Sequence, residues 1–363
     1  MRPHGSRAVG GSANLLYHAD GSPEPEEAAL KANLVAVQAK TGLKDYATAN
    51  TFHAKMASLM ERTMRQVDRD LPTLVSYPEL VGMYLAFVPY FWDDLKDETS
   101  LEAAATKILM KNIGRLGDEE RRTPEAAARR LMFIEHAVET ERAYMETFSS
   151  LAREWGVYLA AGSIALPPME EEPSKGGRHI VDESKVYNMS YLFSPRGVCL
   201  RRVPKVNVTE PFENRIFDGG LKSELLPADT PLGRLGTLVC WDGFHQTLVE
   251  HYDALGVHVL LKPSYNQHPW DGPCSYDASC TEGENWLRTG CPSIIQGREN
   301  IRYGVNAMMV GAVFEDMLAE GLSSVSRNTG RVGASWEEGV VAMAEKPDGE
   351  EIVAAVVELD GRR

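Results

Sequence analysis

Three reactive side chains follow short runs of apolar and β-branched residues. Glu79 comes just after residues 73–77 (TLVSY), Lys205 follows residues 198–203 and Pro204, and Cys240 closes residues 235–240 (LGTLVC). In α/β sheets, functional groups gather beyond the carboxyl ends of strands. A thiol attacks as its thiolate, and a neighbouring ammonium favours that form. A carboxylate nearby can take the proton. Each residue alone has a plainer reading: a solvated loop acid, a surface lysine, and a buried thiol that packs as a small hydrophobe.

The elements that must position them are legible as periodicities. Residues 33–38 (NLVAVQ) read as a first strand. Ala49, Phe52, Met56, Leu59, Thr63 and Val67 recur at three- and four-residue steps, one face of a helix over about 44–69. Pro72 stops it, and 73–77 reads as a second strand, which makes a βαβ unit. Residues 82–156 read as mainly helical. Thr99 and Glu102 form a capping-box pattern with Gly117 as the stop. Thr123-Pro124-Glu125 opens a second helix, long enough to hold a kink or a break, that runs through Leu131, Ile134, Val138, Met145, Phe148, Ala152 and Trp155. Strands follow at 157–161, 185–193, 198–203, 235–240, 257–261 and 305–311, with helices at 245–255 and 295–303. Residues 167–182 read as a surface loop, and 340–344 with 352–358 as a closing hairpin around Pro347-Asp348-Gly349.

The chain has 363 residues, 43% hydrophobic and 25% charged, an ordinary globular mix. Its formal charge of −14 repels phosphate backbones, which argues against nucleic acid as a partner. No apolar run approaches the ~20 residues that span a bilayer, so no membrane partner is expected. Five cysteines, an odd number, point to reduced thiols and a cytoplasmic protein. Residues 1–29 read as a mobile arm without the apolar core of a signal peptide. Residues 30–361 read as one domain, since no linker or repeat divides them.

Taken together, SYPEL around Glu79, RRVPKVNVTEPFE around Lys205 and GTLVCWD around Cys240 resemble the three signature segments of the nitrilase superfamily, the carbon–nitrogen hydrolases. Flanking segments match as well: 34–38 its first strand, Ala161-Gly162-Ser163 the strand before its central loop, and Val186-Tyr187-Asn188 with Ser194-Pro195-Arg196-Gly197 its hairpin. Glu299-Asn300 and Val305-Asn306-Ala307 resemble its late helix–strand unit, with Gln296 where the family has arginine. The resemblance implies a four-layer α-β-β-α sandwich of two mixed sheets with outer helices, and a homodimer or larger homo-oligomer. It implies catalytic roles for Glu79 as general base, Lys205 as stabiliser of the tetrahedral intermediate and Cys240 as nucleophile. Glu213, eight positions beyond Lys205, matches a second glutamate. It implies no cofactor and no metal.

Substrate-binding candidates are Trp241, beside the nucleophile, and Tyr265 and Asn266, after the next strand. Cys240-Trp241-Asp242-Gly243-Phe244-His245 shares Asp with ω-amidase-like members and Trp with true nitrilases. The expected reaction is cleavage of a small amide or N-carbamoyl compound. The alternatives are nitrile hydrolysis, acyl transfer to a non-water acceptor, or a non-catalytic scaffold. Cys274, Cys280 and Cys291 near His268 lack any C-x₂-C pair and read as structural thiols. The helices of 82–156 make the chain longer than usual for the family between Glu79 and Gly162, where they could border the pocket or a subunit contact.

Overall fold

The computed structural model describes residues 30–172, 178–210, 213–274 and 276–359. The expected arm, residues 1–29, lies outside them. The Leu30–Lys40 strand is buried over eight consecutive residues, so both of its faces are covered. It pairs in parallel with Thr73–Ser76 and antiparallel with Glu351–Leu359. Thr73–Ser76 pairs in parallel with Tyr158–Leu166, followed by the antiparallel strands Tyr187–Phe193 and Cys199–Pro204. A second run has the Tyr303–Ala312 strand at its centre. On one side lie Val259–Tyr265 and Gly233–Thr237 in parallel, and on the other Ser324–Arg327 antiparallel. The two runs join where Ala39 and Lys40 meet Met309 and Val310. This is an α/β fold with mixed sheet pairing.

Apolar faces decide where the helices lie. Phe52, Met56, Leu59 and Met60 of the Ala49–Met64 helix and Tyr144, Phe148 and Leu151 of the Ala137–Trp155 helix share one core with Val35, Val37, Val75 and Ala161. The opposite face of the first run, with Leu34, Ala36, Leu74 and Ala160, clusters with Leu235, Leu261, Val305 and Ala307 of the second. Leu248, Val249 and Tyr252 of the Gln246–Ala254 helix cover Leu260 and Ile301.

Several local expectations are corrected. Residues 295–303 are not a helix. The helix there is Cys291–Ile294, and the Asp253 carboxylate takes the backbone N–H groups of Glu299, Asn300 and Ile301 at 2.8–3.0 Å, replacing helical bonds. Residues 340–344 and 352–358 do not form a hairpin. Val340–Met343 pairs with Ser324–Arg327, and Glu351–Leu359 with Leu30–Lys40. The buried Gln38 amide holds the intervening turn by the carbonyls of Lys346 and Gly349 at 2.6 and 2.8 Å. Within the expected 167–182 loop, Met169–Glu172 pairs with Arg178–Val181. The Leu101–Asn112 helix is capped by Ser100, not Thr99, because the distant Asp316 also accepts from its first turn. The Thr123 cap and Pro124 start are as expected, and the helix is interrupted by a π-helical stretch at Arg129–Ile134 before it resumes at Ala137.

Candidate functional site

Glu79 leaves the Thr73–Ser76 strand on a short loop pinned to the neighbouring strand. The Leu80 N–H donates to Ser163 Oγ at 2.8 Å and the Gly82 N–H to the Ser163 carbonyl at 3.0 Å. Leu80 has φ +55°, a conformation a non-glycine residue keeps only when its surroundings hold it. A Cβ on Gly162 would lie 2.0 Å from the Pro78 carbonyl oxygen, so only glycine lets the loop sit this close. The Ala161-Gly162-Ser163 segment is thus the seat of the Glu79 loop.

Lys205 follows the Cys199–Pro204 strand, and its N–H donates to the Asn188 carbonyl at 2.8 Å. Its buried Nζ donates to Glu79 Oε1 at 2.9 Å and to Glu213 Oε2 at 2.6 Å. Glu213 Oε2 also accepts from Thr209 N and Oγ1 at 2.8 and 2.9 Å. Asn188 Nδ2 donates to both acids, at 2.8 Å to Glu79 and 3.3 Å to Glu213. Sequence reasoning missed Asn188 and Thr209 as members of this network. Their signal is weak, because neither residue ionises and each lies outside the three signature segments' reactive positions.

Cys240 does not end a strand. The strand stops at Thr237, and Cys240 begins the 3₁₀ turn Cys240–Phe244 with φ +48°. The Asp242 N–H closes the turn on the Val239 carbonyl at 3.1 Å. The Asp242 carboxylate accepts from Val206 N, Asn207 N and Asn207 Nδ2 at 2.7–2.9 Å, which ties the turn to the segment carrying Lys205. The Cys240 thiol donates to the Tyr265 carbonyl at 3.5 Å and lies within the electrostatic reach of Glu79 and Lys205. The fold therefore brings together Glu79, Lys205, Glu213 and Cys240, all buried, from three separate segments.

Burial sets the electrostatics. It raises the Glu79 carboxyl above the usual range, with Glu213 adding to this and Lys205 opposing it. Burial alone would drive a proton from Lys205, but Glu79, Cys240 and Glu213 together hold the ammonium charged. Burial and the charge of Glu79 push the Cys240 thiol up to about 12, against Lys205 and Lys262. The resting pair is thus a neutral thiol beside a carboxylate with a raised affinity for protons.

Trp241 is half-buried, and its ring stacks on the exposed Tyr276 at 5.9 Å. Tyr265 gives the site its carbonyl, while its hydroxyl donates to the Met317 carbonyl at 3.0 Å. The Asn266 amide is taken up in bracing its loop, donating to the carbonyls of His268 and Glu320 at 2.9 and 3.1 Å. Among the described residues, no group of three or more His, Cys, Asp or Glu side chains is arranged to hold a metal ion. Cys274 and Cys280 lie on one loop, where the Cys274 N–H donates to the Cys280 carbonyl at 3.1 Å. No helix among the described residues is long and apolar enough to cross a membrane.

A family model described as carbon-nitrogen hydrolase matches residues 36–315. Symplectin of Sthenoteuthis oualaniensis is 28% identical over 127 residues, 34% of this chain and 24% of that protein. Omega-amidase NIT2 of Xenopus tropicalis is 25% identical over 186 residues, 47% of this chain and 60% of that protein. The matches thus span less than two thirds of these relatives. Among solved structures, Nit3 of Saccharomyces cerevisiae, described as a member of branch 10 of the nitrilase superfamily, aligns with a TM-score of 0.56 at 19% identity, covering 91% of this chain and 90% of that one. An amidase from Nesterenkonia sp. aligns with a TM-score of 0.53 at 17% identity, covering 93% and 94%.

Proposed function

Because the chain belongs to the carbon–nitrogen hydrolase family, we propose that it cleaves a non-peptide carbon–nitrogen bond of a small amide or N-carbamoyl compound through a thioester on Cys240. The observation that carries this reading is the buried cluster in which Lys205 bridges Glu79 and Glu213 beside Cys240. A scaffold has no use for two carboxylates, an ammonium and a thiol desolvated together, an arrangement that costs stability. The same reading makes residues 30–361 one hydrolase domain. It also makes the two runs of strands the inner layers of a four-layer α-β-β-α sandwich, supported by their shared apolar cluster.

The chemistry follows from the geometry. Glu79 takes the Cys240 proton as sulfur attacks the substrate carbonyl carbon, so the thiolate need not accumulate at rest. An ammonium has three hydrogens. Two of those on Lys205 go to Glu79 and Glu213, and the third reaches the developing oxyanion. The Trp241 N–H, at the head of the nucleophile turn, is the second donor; one such donor is worth about 3–4 kcal/mol in the transition state. The intermediate collapses, the carbon–nitrogen bond breaks, and Glu79 returns the proton to the departing nitrogen. Water then enters, gives a proton to Glu79, and its oxygen displaces Cys240 from the acyl group. Glu79 hands that proton back to sulfur. Acid and amine leave, and the site is restored.

The omega-amidase and amidase relatives favour amide over nitrile chemistry. Release of ammonia from a panel of small amides, N-carbamoyl amino acids and nitriles tests the reading, with Cys240→Ala beside the wild type. Release that is lost in the variant supports it. Turnover retained by Cys240→Ala refutes the nucleophile. A nitrile turned over faster than its own amide refutes the substrate class.

A further inference from the structure

Lys262 is a second buried ammonium beside the nucleophile, and the mechanism above does not use it. It lies on the Val259–Tyr265 strand, whose Leu261 carbonyl accepts the Leu238 N–H from the segment leading to Cys240. Its side chain runs directly beneath the nucleophile turn. A Cβ on Gly243 would lie 2.5 Å from Lys262 Cε, so the turn closes over the stem only because residue 243 is glycine. The side chain is wholly inaccessible to solvent.

A buried ammonium ordinarily carries a carboxylate partner. Among the described residues, no salt bridge to Lys262 is found. Its Nζ instead lies 4.0 Å from the centre of the Phe244 ring and 4.3 Å from that of Trp286. Its hydrogen-bond partners, Ser264 Oγ and Asn306 Oδ1, stand at 3.4 and 3.5 Å, the long limit for such bonds. Aromatic faces hold a cation without cancelling its charge. The ionisable groups that act on it are Cys240, on the turn above, Cys291, from the Cys291–Ile294 helix, and Glu79 and Lys205 beyond.

We propose that Lys262 is a positioning residue for the nucleophile: held under the Cys240 turn by two aromatic faces instead of a carboxylate, its uncompensated charge stabilises the Cys240 thiolate. Lys205 is bound on two sides by Glu79 and Glu213. Those three groups and a neutral thiol sum to one negative charge, which opposes a thiolate. The Lys262 charge offsets that excess. The ammonium itself is poised to titrate near neutrality, because burial depresses it to about 8.

The inference rests on Cys240 as the proposed nucleophile, and alkylation tests the two separately. The full chain is treated with iodoacetamide between pH 6 and 10, and the rate of modification at Cys240 is read by peptide mass spectrometry. Lys262→Met keeps the length of the stem and removes the charge. It is expected to slow Cys240 alkylation about tenfold at pH 7, one unit of thiol pKa. The deficit shrinks above pH 8 as the wild-type ammonium loses its proton. Asn306→Asp supplies the missing carboxylate without touching Lys262, and is expected to slow alkylation in the same direction. This second variant decides the matter if Lys262→Met does not fold. Wild-type rates in folded variants overturn the proposal, and so does a deficit equal at every pH, the mark of a purely packing effect. A wild-type Cys240 no more reactive than Cys199 refutes the nucleophile itself, and the Lys262 proposal with it.

Discussion

Replacing Glu213 with glutamine separates a catalytic partner from a structural brace. Glu213 accepts on both sides, from Lys205 and Thr209 at Oε2 and from Asn188 at Oε1. Glutamine has one acceptor, so either orientation sets its NH₂ against a donor. With the charge-assisted bond to Lys205 weakened as well, the variant is expected to lose about 2–3 kcal/mol of stability. The more telling effect falls on Glu79. Two carboxylate oxygens that bind one nitrogen at 2.9 and 2.6 Å are no more than about 5.5 Å apart. At an effective dielectric of about 20, unit charges at that distance repel by about 3 kcal/mol, or about two pKa units. Glu213 raises Glu79, so removing its charge lowers Glu79 and frees Lys205 to lower it further. Glu79 must be unprotonated to accept from Cys240, so activity rises with pH through its titration. The acid limb of the kcat/KM profile is therefore expected to move about one to two units to lower pH in Glu213→Gln. The assay is ammonia release at subsaturating substrate from about pH 4 to 8. A limb that stays in place, or moves to higher pH, refutes the electrostatic coupling and leaves Glu213 only a brace.

Four further outcomes follow from named contacts. Cys240→Ala is expected to abolish turnover and the acyl adduct seen by intact mass, with an unchanged circular dichroism spectrum. Lys205→Ala should also abolish turnover and cost about 3–5 kcal/mol in urea unfolding, because it leaves two buried acids without their cation. Ser163→Ala removes the acceptor of the Leu80 N–H and is expected to cost about 1–3 kcal/mol and lower kcat, since the Glu79 loop loses its pin; an unchanged kcat would show that Gly162 alone seats the loop. Lys262→Met is expected to be more stable than wild type at pH 7. Burial lowers this ammonium from 10.5 to about 8, so between those values the unfolded chain binds more protons and wild-type stability rises with pH. Below pH 8 the penalty is full, about 3 kcal/mol. The variant's gain should appear in urea melts at pH 7 and fade towards pH 10.

The reactive types and their order were open to view in the chain: a glutamate, a lysine and a cysteine, each after an apolar segment, in a pattern resembling one family. The strands, the first βαβ unit and the faces of the two long helices could also be read, because burial writes a period of two or 3.6 into the residues. What periodicity does not carry is long-range pairing and charge compensation. Glu351–Leu359 looks like half of a hairpin until the Leu30–Lys40 strand claims it, and residues 295–303 look helical until Asp253 takes their N–H groups. Cys240 looks like the last residue of a strand, yet its positive φ depends on the turn that Asp242 ties to Val206 and Asn207. Lys262 looks like one more lysine just past a strand. Its meaning lies in what surrounds it, two rings and, among the described residues, no carboxylate in a salt bridge, and the rings come from other segments of the chain. Residue type and local period are properties of the sequence. Desolvation and the pairing of charges depend on distances across the fold, so only the tertiary structure decided them.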